Sequence, residues 1–96
     1  MRTIERPKPF RQDLKRELKG RHKKILDRGG ELETVILHLA NDVPLDASYR
    51  DHPLHHNWEG SRECHIKPDF LLIYTLEGED LLILERLGSH SEILGL

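Results

Sequence analysis

The chain has 96 residues, 15 Lys or Arg and 17 Asp or Glu, a formal net charge of −2, and the size of one domain, so residues 1–96 are read as a single unit. One cysteine, Cys64, excludes an intrachain disulfide, and no apolar run approaches the ~20 residues that span a bilayer. The start, Met1 to Pro7, lacks the apolar stretch of a secretory signal, which makes the cytoplasm the expected compartment and leaves a membrane off the list of expected partners.

Residues 2–6 form a short candidate strand that ends at Pro7. Pro9 suits a first helical turn, and Phe10, Leu14 and Leu18 recur every four residues, drawing one apolar stripe on a helix that stops near Gly20. These three are the expected core residues of that helix. A second helical pattern runs from about His22 to Ala40, with Ile25, Leu32, Ile36 and Leu39 on one face. Gly29-Gly30 interrupts it, so a kink or break is expected there. The two segments read as a hairpin of basic helices, since residues 2–28 hold 11 basic and 4 acidic side chains. That run is either a solvated helix face or a surface for an acidic or polyanionic partner.

Residues 41–61 read as a long irregular connection holding Pro44, Pro53, Trp58, Gly60 and three histidines. Tyr49 and Trp58 are expected to pack, and His55 and His56 to lie at the surface. After Gly60 the pattern turns strand-like: Arg62 to Lys67 alternates, Pro68-Asp69 makes a tight turn, Phe70 to Thr75 follows, Glu77 to Asp80 turns again, and Leu81 to Leu87 closes the series. Ser89 and Glu92 have the spacing of a capping box for a short helix, His90 to Leu94. The order strand, helix, helix, strand, strand, strand predicts an α+β fold: a small antiparallel sheet with a helical hairpin packed on it, the first strand pairing with a later one.

Histidine is concentrated late in the chain, with five of the seven at positions 52, 55, 56, 65 and 90. Alternation puts Glu63, His65 and Lys67 on one face of their strand and Arg62, Cys64 and Ile66 on the other. Asp69 follows at the hairpin tip, Arg86 lies near the end of the last strand, and His90 comes just after it. Such a set suits RNA cleavage by the 2′-hydroxyl. That reaction needs a base for the 2′-OH proton, an acid for the leaving 5′-oxygen and a cation for the phosphorane charge, with no metal or cofactor. Cys64 and His65 point to opposite faces, so a zinc site built on both is not expected.

The stretches Tyr49-Arg50-Asp51-His52-Pro53-Leu54, Trp58-Glu59-Gly60, Arg62 to Asp69, Leu72-Ile73-Tyr74 and Glu85 to His90 resemble the YafQ-type toxins of the RelE/ParE superfamily over nearly the whole chain. The resemblance implies a RelE/ParE-like fold and a toxin of a type II toxin–antitoxin pair that enters the ribosomal A site and cuts mRNA. It assigns catalysis to His52, His65, Asp69, Arg86 and His90. It also assigns substrate contacts to Phe70, which would stack on a base, and to Leu94, which stands where the family often has an aromatic; Lys67 is a further candidate from its strand face. The implied partners are a cognate antitoxin, the ribosome and mRNA, with a monomer when free and a hetero-oligomer with antitoxin. The alternative within the superfamily is a ParE-like gyrase inhibitor without nuclease activity, which would need no acid–base histidines. Residue by residue, plainer readings stand beside these: Asp69 as a turn residue, Arg86 as the partner of a carboxylate, Lys67 and Arg62 as solvated strand charges.

Overall fold

The computed structural model describes residues 1–95, with Leu94 placed only as part of the last helix. The elements are β1 (Thr3–Glu5), α1 (Lys8–Glu17), α2 (Lys23–Leu26), α3 (Glu31–Ala40), β2 (His52–Pro53), β3 (Arg62–Lys67), β4 (Phe70–Glu77), β5 (Leu81–Gly88) and α4 (His90–Leu94). The five strands form one mixed sheet in the order β1-β5-β4-β3-β2. β3, β4 and β5 are the expected antiparallel meander, and β1 joins parallel to β5 with Ile4 opposite Leu82. The connection read as irregular contains β2, which pairs antiparallel with β3 and sets His52 opposite Glu63. A two-residue strand carrying proline belongs at a sheet edge, where the missing N–H costs no ladder bond, and it leaves no periodic signal in the sequence.

The helix α1 begins after Pro7 and carries Lys15 and Arg16 in its last turn, where cations complement the helix dipole. Its buried positions are Phe10, Asp13 and Glu17, whereas Leu18 is 41% exposed. The expected core stripe therefore holds at Phe10, weakens at half-buried Leu14 and fails at Leu18. The cause is Asp13. Its carboxylate accepts the Leu87 N–H at 3.0 Å, while Arg16 Nη2 donates to the Leu87 carbonyl at 2.9 Å. Side chains of α1 thus satisfy the backbone of β5 beyond the end of β1, and that rotates the helix away from the purely apolar register.

The second helical pattern breaks at Gly29-Gly30. Gly29 has φ 78°, and a Cβ on Gly30 would lie 2.7–2.8 Å from the carbonyl oxygens of Lys24, Ile25 and Asp27. Helix α2 is one turn long and lies between α1 and α3, so the expected two-helix hairpin is a three-helix layer. Its positive charge lies on α1, α2 and the turns on either side of α2, Arg28 included; α3 carries Glu31 and Glu33 and no Lys or Arg. The apolar face of α3 (Leu32, Val35, Ile36, Leu39, Ala40) joins Phe10, Cys64, Leu72, Tyr74, Leu82, Leu84 and Leu87 in the main core. The opposite sheet face has a second cluster, Leu71, Ile73 and Ile93, closed by Leu54 and Trp58. Strand β4 is buried on both faces, which explains its unbroken apolar run from Phe70 to Tyr74.

Candidate active site

Three histidines from three elements converge on one carboxylate. Glu63, on β3, is 3% exposed. Its Oε2 lies 3.0 Å from His52 Nε2 and 3.4 Å from His65 Nε2, and its Oε1 lies 3.4 Å from His90 Nε2. The ring centroids of His52 and His65 are 5.8 Å apart, and those of His65 and His90 5.7 Å. Local structure puts each ring there. The β2–β3 pairing sets His52 against Glu63, alternation places His65 on the same face, and the Ser89–Glu92 capping box starts α4 at His90.

Each ring is held by its other nitrogen. His52 Nδ1 is 2.6 Å from the Arg50 carbonyl, His65 Nδ1 is 3.3 Å from the Pro68 carbonyl, and His90 Nδ1 is 3.1 Å from Asp69 Oδ1. A carbonyl oxygen only accepts, so in His52 and His65 the Nδ1–H is the donor. Asp69 also accepts the His90 backbone N–H at 3.1 Å. That bond, followed by the His90 side chain and the nearby charges of His90 and Arg21, holds the Asp69 carboxyl below the usual carboxylate range and keeps it an acceptor. Arg50 takes a left-handed conformation (φ 50°, ψ 43°) that turns its carbonyl toward His52, a strained backbone at the site. With Nδ1 tied down three times, the nitrogens facing Glu63 are all Nε2.

Glu63 Oε1 is buried without a hydrogen-bond partner among the described residues, its His90 neighbour being close but not aligned. An orphaned buried carboxylate oxygen costs stability, so this position is occupied at a cost to the fold. In the sequence Glu63 carries no signal beyond sharing a strand face with His65.

The other expected site residues are placed differently. Arg86 lies on the row Glu63–Ile73–Arg86 across three strands, two strand spacings from the carboxylate. Its Nε and Nη2 bind Asp13 at 2.6 and 3.1 Å. The carboxylate-partner reading of Arg86 is thus realised, with Asp13 on α1 as the partner. Burial alone would push the Asp13 carboxyl up, but the Arg86 and Leu87 hydrogen bonds and the Arg86 and Arg16 charges outweigh it and leave it below its ordinary value. Lys67 does not join the histidines. The register shifts between His65 and Lys67, and Lys67 Nζ turns to Glu31 at 3.1 Å. Phe70 is 1% exposed and lies under His22, ring centroids 4.2 Å apart and planes 17° from parallel, so the expected stack on a substrate base is replaced by a stack on His22. The side chain of Leu94 lies outside the described residues. Cys64 is buried on the opposite face, and burial pushes its thiol up to about 12, so it is inert.

Against known proteins, residues 2–95 match the family profile "Bacterial toxin of type II toxin-antitoxin system, YafQ". The chain belongs to the YafQ family of toxins. It is 40% identical over 94 residues to the mRNA interferase toxin YafQ of Escherichia coli B, covering 98% of this chain and 97% of that one. Its fold superposes on a copper-bound mutant toxin from Helicobacter pylori with a TM-score of 0.85, 41% identity and coverage of 97% of this chain and 99% of that chain. It also superposes on the E. coli DinJ–YafQ toxin–antitoxin complex with a TM-score of 0.81, 38% identity and 98% coverage of both chains. The YafQ fold thus carries the α+β architecture expected from sequence. No helix among the described residues is long and apolar enough to cross a membrane.

Proposed function

We propose that this toxin is an endoribonuclease that cuts mRNA in the ribosomal A site by acid–base catalysis through the 2′-hydroxyl. The observation that carries the reading is the convergence of three Nε2 atoms, each on a ring whose Nδ1 is fixed, around one buried carboxylate. An unprotonated Nε2 removes the 2′-OH proton, and the 2′-oxygen attacks phosphorus. A second, protonated Nε2 delivers its proton to the departing 5′-oxygen, leaving a 2′,3′-cyclic phosphate and a 5′-hydroxyl. Glu63 faces all three rings and supports whichever is protonated. Asp69 positions His90, and Arg86, fixed by Asp13, supplies the cation toward the phosphorane.

A cognate antitoxin is the expected neutralising partner, giving a hetero-oligomer from a free monomer, as a relative is seen with DinJ. The basic surface of α1 and α2 is the electrostatic contact for ribosomal RNA, and binding through it weakens steeply with salt. The test is purified protein on a translated mRNA, with and without ribosomes, beside His90→Ala. Cuts that need ribosomes and vanish in the variant support the reading. Intact mRNA with inhibited DNA supercoiling moves the chain to the gyrase-inhibiting branch.

A specific observation adds a second property. Donor atoms of His52, Glu63 and His65 lie within 4.8 Å of one another, and a relative has been solved with copper bound. Two imidazole nitrogens and a carboxylate oxygen suit a transition-metal ion, which there would occupy the lone pairs that move protons. Copper or zinc should therefore inhibit cleavage and a chelator restore it. Activity that is lost on chelation and restored by metal would make the acid–base reading wrong.

A further inference from the structure

A cleft of about 420 Å³ opens beside the histidine cluster, between the α1–α2 turn and the start of α4. Its charged lining is Arg16, Glu17, Arg21, Asp69 and Glu92, with Arg16 engaged by Glu17 and Glu92 at 2.9 and 3.1 Å, so that Arg21 is the cation the lining leaves for a ligand; His22 and Phe70 complete the wall. It reaches the cluster through Asp69, whose carboxylate holds His90. Its floor is the His22–Phe70 stack. Phe70 is sealed beneath, and His22 is half-buried, so the flat π-surface offered to the cleft is the imidazole. Arg21 is exposed at the rim and close enough to Asp69 for its charge to act there. Lys19, Lys23 and Lys24 are exposed in the same segment, which continues the positive surface outward.

Flat rings interleaved with cations are the recognition chemistry of single-stranded nucleic acid. A base stacks on the ring, and the phosphates either side meet the positive groups. We infer that this cleft is the subsite for the nucleotide flanking the scissile phosphate, with His22 as the stacking platform and Arg21 as the phosphate contact. The inference rests on the proposed nuclease reading and adds to it a base-binding residue outside the histidine cluster. It also accounts for the burial of Phe70: the ring backs the platform and keeps the imidazole flat.

The test is steady-state cleavage of ribosome-bound mRNA by the purified full chain and by His22→Ala, His22→Phe and Arg21→Gln, with thermal melts of each. Stacking on an aromatic ring is worth about tenfold in binding. His22→Ala should raise KM by about tenfold with kcat changed less, and should alter the distribution of cut sites. His22→Phe should restore most of the affinity. Arg21→Gln should raise KM and lower its salt dependence. Wild-type KM and cut sites in a folded His22→Ala would overturn the subsite while leaving the nuclease reading intact. A failure of His22→Phe to rescue, with both variants melting like wild type, would also overturn it. If the wild-type protein cuts no RNA, the nuclease reading itself falls, and the subsite with it.

Discussion

At the scale of single residues, the site is an arrangement of fixed tautomers. Three different acceptors, two carbonyls and a carboxylate, hold the three Nδ1 atoms, so the atoms left facing Glu63 are the three Nε2 nitrogens that the proposed mechanism uses as acid and base. His90 is the most exposed to test. His90→Ala should lower kcat by about 10²–10⁴-fold, the usual contribution of a positioned acid or base, without lowering the melting temperature by more than a few degrees. Glu63 separates function from stability. Its buried, partly unpaired carboxylate is a cost to the fold, so Glu63→Gln should melt no lower than wild type while cutting mRNA at least about tenfold more slowly. A destabilised but fully active Glu63→Gln would show that the carboxylate holds the fold and takes no part in the chemistry.

The residues differ in how legible they were. His65, Asp69 and His90 lie together as expected, because a strand, a tight turn and a capped helix start are local features; His52 joins them through β2, which reads as loop in the sequence, so its place at the site follows from the family resemblance alone. Alternation puts Glu63 on the right face but gives it no role, since a glutamate in a strand carries no sign of what lies opposite it. Alternation puts Lys67 beside His65, and the bulge between them turns it away; the resemblance offers Phe70 to a substrate base, and the structure stacks it on His22, forty-eight positions earlier in the chain.

At the scale of elements, the junction between α1 and β5 holds the sheet together beyond β1. Asp13 binds Arg86 twice and the Leu87 N–H once. Asp13→Ala leaves a guanidinium and a backbone donor without their partner and should cost about 3–5 kcal/mol, read by chemical denaturation. The helix register departs from the sequence pattern for the same reason: a four-residue apolar repeat points to Leu14 and Leu18, but the tertiary demand of an unpaired strand edge falls to Asp13. Gly29-Gly30 interrupts the helical pattern in the structure as it does in the sequence. At that break the close approach of three carbonyl oxygens leaves room at position 30 for glycine and for no side chain. Gly30→Ala should destabilise by about 1–3 kcal/mol, because the atoms it meets are backbone and cannot swing aside.

At the scale of the whole molecule, charge and pH connect fold to function. Asp13, Glu31 and Glu92 have carboxyls held below their ordinary values by cationic or hydrogen-bonding neighbours that outweigh burial. A group whose folded pKa is depressed adds stability that is fully present above the unfolded value and is lost as pH falls through the folded value. Stability should therefore decline below about pH 4. Asp13→Asn should make that decline shallower, which urea melts across the acid range can read. The two-layer architecture and the meander were legible because periodicity changes from helical to alternating at Gly60. Strand β2 was not, and it is the edge that brings His52 to Glu63.

The most direct test of the central claim is the chemistry of the ends. Translated mRNA is cut by metal-stripped protein in chelator, the new 5′ ends are mapped, and their terminal groups are identified beside His90→Ala. Attack by the 2′-hydroxyl with histidines as acid and base predicts 5′-hydroxyl ends facing 2′,3′-cyclic phosphates, formed without metal and lost in the variant. New 5′-phosphate ends, or ends that persist when His90 is gone, would contradict it.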